Sequence, residues 1–256
     1  MSTVTLPRWH WGDPESPRRA LLVHGLGSSA QTTWRISEGL ADAGWSATAV
    51  DLRGHGAAPR ASRYRIEDIA ADLLGTRPEG GGTWQLVVGH SIGAAAAAQA
   101  AGTESASSER LVLLDPALQL DEPARQSVLA GQLANHDGAT VASIAEQFPH
   151  WHPLDVEFRV RAVKAASRFA LERAVLDNDD WDATAFVPHI AAPTLVIAAD
   201  PAHGSMFAGE HAAAVLATNP LLEAVVVPGA GHSVHRDAPE ATLRHLLDWL
   251  RASETP

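Results

Sequence analysis

No cysteine occurs among the 256 residues. Disulfides, thiolate metal sites and a cysteine nucleophile are thereby excluded. Long hydrophobic runs are missing too: none approaches the ~18 apolar residues of a membrane-spanning helix. Met1 to Pro17 carries three prolines, an arginine and two acids where a signal peptide has its apolar centre, which predicts a cytoplasmic protein. Positive charge is in deficit. Nineteen Lys and Arg stand against 30 Asp and Glu, giving a net charge of −11 and pI ≈ 5.5. That balance argues against nucleic acid or an anionic membrane as partner. Tyrosine occurs once against eight tryptophans, so much of the large aromatic surface, in core or pocket, is indole.

What is present suits a globular fold. The chain is 46% hydrophobic, enough for a full core, and its length fits one large α/β domain or two small ones. The organising stretch is Gln85-Leu86-Val87-Val88-Gly89-His90-Ser91-Ile92-Gly93-Ala94-Ala95-Ala96. Leu86 to Val88 suits a buried strand, and the alanine run beyond Gly93 suits a helix. Between them lies Gly-x-Ser-x-Gly. A strand turning at once into a helix holds its central residue in a strained conformation, and flanking glycines let the two backbones pass closely. The Ser91 hydroxyl is thereby lifted above the strand end, with the first free N–H groups of the helix aimed at whatever it attacks.

Along the chain, short apolar strands alternate with helical patterns. Strands are predicted at Trp9 to Trp11, Ala20 to Val23, Trp45 to Val50, Leu86 to Val88, Arg110 to Leu114, Pro193 to Ala199 and Leu221 to Val227. Such alternation means a mostly parallel sheet covered on both faces by helices, with ligands at the carboxyl ends of the strands. Four loops sit at such ends: His24-Gly25-Leu26-Gly27, Asp51-Leu52-Arg53-Gly54-His55-Gly56, the elbow, and Pro228-Gly229-Ala230-Gly231-His232. The first has no following Gly-Lys-Ser/Thr and is not a phosphate loop. From Ala117 to His189 the alternation stops, and Arg125 to Leu133, Thr140 to Gln147, Val156 to Leu176 and Trp181 to Phe186 read as helix or loop.

Hydrolysis through a serine needs a base, an acid to orient that base, and donors for the oxyanion. Ser91 is the candidate nucleophile and His232 the candidate base. Asp200 and Asp115 both end strands and both qualify as the acid; Asp200 is preferred because one helix and one strand separate it from His232. The backbone N–H groups of Leu26 and Ile92 are the expected oxyanion donors. His90 is expected to point away from the site, His235 to lie at the surface or at a helix approach, and His24 to brace the oxyanion loop.

These four loops, in this order and spacing, resemble the α/β-hydrolase superfamily nearly end to end. The resemblance implies an eight-stranded sheet with a helical cap, residues 117–188, inserted after the sixth strand between core segments 1–116 and 189–256. It also implies a mechanism without cofactor or metal: Ser91 attacks, an acyl-enzyme forms, and water activated by His232 releases it. The acid loop, Ala198-Ala199-Asp200-Pro201, is shorter than the family's usual Gly-x-x-Asp pattern, which keeps Asp115 in play because some relatives place the acid after the sixth strand. A serine nucleophile argues against epoxide hydrolases and haloalkane dehalogenases of the same fold. Phe148, Trp151 and Trp181 of the cap are candidates to line a pocket for a small-molecule substrate. The leading expectation is a carboxylic ester or lactone hydrolase; a C–C bond hydrolase, a lyase or a slow-turnover binding protein are the alternatives.

Overall fold

The computed structural model describes residues 3–253. Its centre is a seven-stranded sheet built from β1 (Arg8–Trp11), β2 (Arg19–Val23), β3 (Ser46–Val50), β4 (Leu86–His90), β5 (Leu111–Leu114), β8 (Thr194–Ala198) and β9 (Leu222–Val226), ordered β1-β3-β2-β4-β5-β8-β9. Only β1 runs antiparallel to its neighbour, β3; the other pairs are parallel. A parallel sheet is buried on both faces, so its inner strands are largely apolar and alternate in which face they serve. Leu21, Val23, Val87, Leu111, Leu113 and Val196 pack toward α2 (Ile66–Gly75) and α3 (Ile92–Thr103). Ala20, Leu22, Leu86, Val88, Val112 and Ile197 face the opposite layer with α1 (Trp34–Asp42) and α10 (Pro239–Ser253). The alanines of α3 are small and nearly all buried, which lets this helix lie close to the sheet directly behind the elbow.

The sheet has seven strands among the described residues, one fewer than the resemblance implies, so the long insertion follows the fifth strand of this sheet rather than the sixth. Its neck is a two-stranded pairing absent from the sequence reading. In it β6 (Gln119–Leu120) and β7 (Trp181–Asp182) run antiparallel, with Leu120 opposite Trp181. Two residues per strand are too few to leave a period in the sequence. Between them lie α4 (Glu122–Gly138), α5 (Val141–Gln147), α6 (Pro153–Ala165) and α7 (Arg168–Leu176). The helical pattern predicted over Val156 to Leu176 breaks at Ala166 and Ser167, both extended. There the Ser167 N–H donates to Gly54 O at 2.8 Å, so a tertiary contact with the core loop ends α6. The chain closes with α8 (Gly209–Ala217), α9 (Val234–Asp237) and α10. No described helix is long and apolar enough to cross a membrane.

Candidate active site

The elbow between β4 and α3 has the geometry that its sequence demands. Ser91 sits at φ +56°, ψ −122°, a region that L-residues enter only when the surroundings enforce it. The glycines around it are required by contact. A Cβ on Gly93 would lie 2.4 Å from His24 O, and one on Gly89 would lie 2.7 Å from the Ala94 Cα. Ser91 lines a cavity of about 110 Å³ together with Gly25, Leu26, His90 and His232. The N–H groups of Leu26 and Ile92 have no hydrogen-bond acceptor among the described residues.

The loop that carries Leu26 is fixed from beneath. Asp51 accepts from Ala30 N at 2.7 Å and Ala57 N at 2.9 Å. His24 Nε2 accepts from Leu52 N at 3.0 Å, and His55 Nε2 accepts from Gly27 N at 3.1 Å. Both rings are therefore neutral with their proton on Nδ1, which donates to a carbonyl in each case. Burial, reinforced by the neighbouring His55, depresses the His24 pKa to about 3. Arg53 is fully buried and holds Asp72 through two hydrogen bonds, at 2.7 and 2.8 Å. The Asp-x-Arg-Gly-x-Gly segment is thus scaffolding for the donor loop.

His232 comes from the loop after β9 and meets Asp115, not Asp200. His232 Nδ1 lies 2.7 Å from Asp115 Oδ2. Asp115 is the first residue after β5, fully buried and at φ +36°. Its Oδ2 also accepts from Met206 N, and its Oδ1 from Ala199 N and the Ser205 hydroxyl. Burial raises the pKa of this carboxyl, but the hydrogen bond to and charge of His232 and the N–H and O–H donors outweigh it, so the group is held below the usual carboxylate range. An ionised carboxylate only accepts. The proton of His232 is therefore on Nδ1, and Nε2 is free to take one.

The preferred Asp200 is corrected by its contacts. Its carboxylate accepts from Gly229 N at 2.8 Å and Ala202 N at 2.9 Å, with His203 3.6 Å away. The two N–H groups hold its pKa low. Asp200 staples the loop after β8 to the loop after β9 and does not touch His232. The reason lies in the sheet: β5 runs between β4 and β8, so Asp115 ends the strand next to Ser91, while Asp200 lies two residues beyond the end of β8.

Two other histidines differ from expectation. His90 does not point away; its Nε2 donates to His232 O at 3.0 Å, and its ring packs 4.8 Å from that of His232. His235 is buried, with its ring 4.6 Å from His90. Burial first, then the adjacent cationic and imidazole groups, lowers both pKa values well below the ordinary range. They form a neutral wall behind His232. Of the candidate pocket aromatics, Phe148 and Trp151 line the Ser91 cavity and stack at 4.0 Å. Trp181 does not. It is buried at the neck of the insertion, where its indole N–H donates to Ala117 O.

The cavity also holds two residues that the sequence reading did not single out, Arg159 of α6 and Arg236 of α9. Arg159 Nη1 donates to Gly27 O at 2.8 Å, and Arg236 Nη2 donates to Ser28 Oγ at 3.0 Å. Burial lowers Arg159 to about 9, helped by Arg236, and Arg236 to about 10 against the pull of Asp155 and Asp237. Both stay charged at neutral pH. Nothing in a lone arginine on a helical pattern distinguishes it from a surface residue; only the adjacency of Arg236 to His232 offered a signal.

Comparison with known proteins agrees with this fold. The chain matches the alpha/beta hydrolase family over residues 20–245 and belongs to that family; it is a hydrolase. It is 33% identical to lipase LipV of Mycobacterium tuberculosis over 124 residues, 48% of this chain and 47% of that lipase, so the match spans about half the relative's length. It is 27% identical to 2-(acetamidomethylene)succinate hydrolase of Mesorhizobium japonicum, covering 91% of this chain and 87% of that one. The crystal structure of an N-formylmaleamic acid deformylase from Pseudomonas putida superposes with a TM-score of 0.81 at 23% identity, covering 95% of this chain and 96% of that one.

Proposed function

We propose that the protein hydrolyses a small-molecule carboxylic ester or lactone through Ser91, His232 and Asp115. The observation that carries this reading is the 2.7 Å bond from His232 to a buried, ionised Asp115, with His232 lining one cavity beside a serine on a strained elbow. In the reaction Ser91 Oγ attacks the carbonyl carbon and gives its proton to His232 Nε2. The imidazolium, stabilised by Asp115, passes that proton to the leaving oxygen as the acyl–oxygen bond breaks. Water, deprotonated by the same nitrogen, then attacks the acyl-enzyme and frees Ser91. The Leu26 and Ile92 N–H groups receive the oxyanion.

Residues 117–188 act as the cap, since α4, α5 and α6 supply one wall of the cavity. A volume of about 110 Å³ favours a compact acyl group; an apolar cavity of ~150 Å³ takes up benzene. The relative named as a lipase favours an ester. The relative named 2-(acetamidomethylene)succinate hydrolase favours a second reading, the same serine chemistry on a bond other than an ester. The test is turnover of a panel of short-chain esters, lactones and amides by wild type and Ser91→Ala. A fall in kcat of about 10³ or more is expected, with unchanged circular dichroism; residual activity near wild type removes Ser91 as nucleophile, and amide turnover exceeding ester turnover selects the second reading.

A further inference from the structure

The geometry points to a free carboxylate on the substrate, held by Arg159 and Arg236 beside the scissile carbonyl; this deepens, and rests on, the serine-hydrolase reading. The protein carries an excess of acids, yet no residue lining the Ser91 cavity is acidic, and two are arginines. Arg236 is 4% exposed. A guanidinium buried to that degree is normally matched by a carboxylate. Here the acids that lie nearest in charge terms are committed elsewhere. Asp155 is taken by Arg35 at 3.0 Å and the Trp34 indole N–H at 2.8 Å, and Asp237 by Trp151 and His150. Neither Arg159 nor Arg236 has an ion-pair partner among the described residues. The Nε of Arg236 is buried without any hydrogen-bond partner, and its guanidinium carbon lies over the Trp151 ring, 5.2 Å from the ring centroid.

The contacts that these arginines do make are to neutral atoms, Gly27 O and Ser28 Oγ. Those residues directly follow Leu26, the proposed oxyanion donor. Each side chain is thus fixed on the donor loop while keeping unused N–H groups, which is how a preorganised anion site is built. A carboxylate bound there lies a few atoms from the carbonyl that Ser91 attacks. The substrate class that follows is a short half-ester, lactone or N-acyl compound of a dicarboxylic acid. The one free carboxylate of such a substrate supplies the counter-ion that the protein withholds.

The test is hydrolysis of ethyl hydrogen succinate and diethyl succinate, followed by proton release. Wild type is expected to favour the half-ester by about 10- to 100-fold in kcat/KM, the difference charge-assisted hydrogen bonds make. Arg159→Gln and Arg236→Gln should each collapse that ratio about tenfold or more, chiefly through KM, with Lys at either position restoring part of it. A wild-type ratio near one overturns the inference without any variant, and so does a ratio that neither substitution changes. Labelling of Ser91 by a small neutral fluorophosphonate separates the two levels. An adduct without half-ester preference sinks the carboxylate site alone. Absence of the adduct sinks the serine-hydrolase reading.

Discussion

Replacing Asp115 by Asn changes one atom and leaves the shape of the site intact, so its cost is set by hydrogen-bond directions. The native carboxylate accepts from Ala199 N and Ser205 on one oxygen and from Met206 N and His232 on the other. An asparagine NH₂ must replace one of those oxygens. Placed at the His232 side, it faces the Met206 N–H and forces the imidazole proton onto Nε2, where it blocks removal of the serine proton. Placed at the other side, it faces the Ala199 N–H. Either orientation leaves a buried N–H without an acceptor, at about 1–3 kcal/mol of stability. The first also costs catalysis about 10³- to 10⁴-fold. Asp200→Asn, by contrast, loses part of a half-exposed loop staple and should keep activity within about tenfold. The assay is kcat on a short ester, with urea unfolding of each variant. If Asp200→Asn is crippled and Asp115→Asn is not, the assignment of the acid is wrong.

Other predictions draw on the same framework. Gly93→Ala drives a Cβ to 2.4 Å from His24 O and should cost more than about 2 kcal/mol by urea midpoint, whereas Gly131→Ala in α4, where a Cβ meets nothing within 4 Å, should gain about 0.5–1 kcal/mol. Arg53→Met strands the buried Asp72 carboxylate and should lose about 3–5 kcal/mol; a change under 1 kcal/mol would refute its scaffolding role. His24 is neutral in the fold down to about pH 3 but protonates in the unfolded chain near pH 6.5. Because the unfolded state binds the extra proton, stability is complete above pH 6.5 and falls as pH drops, by about 2 kcal/mol at pH 5 from this residue alone. His90 and His235 act in the same direction, so a stability that is flat from pH 7 to 5 contradicts their burial as neutral rings.

The parts that were legible in the sequence are those with local causes. The strands announced themselves by apolar runs, and the elbow by two glycines that contact demands. The acid was ambiguous because Asp115 and Asp200 both end strands and the order of strands in the sheet, which sets their distance from Ser91, has no local signature. His90 and His235 were misplaced for a similar reason: their burial depends on the loop after β9 folding over the elbow. The insertion was read coarsely. Its neck strands are two residues long, and the break at Ser167 is made by Gly54, more than a hundred residues away in sequence. Arg159 and Arg236 reach one cavity from helices in different parts of the chain, which periodicity cannot reveal.

The most direct test of the central claim is intact mass after exposure to a small neutral fluorophosphonate, run on wild type beside Ser91→Ala. Activation of Ser91 by His232 and Asp115 predicts one adduct on wild type, mapped to the peptide that contains Ser91, and none on the variant. A folded wild type that stays unmodified, or an adduct that persists in Ser91→Ala, contradicts it.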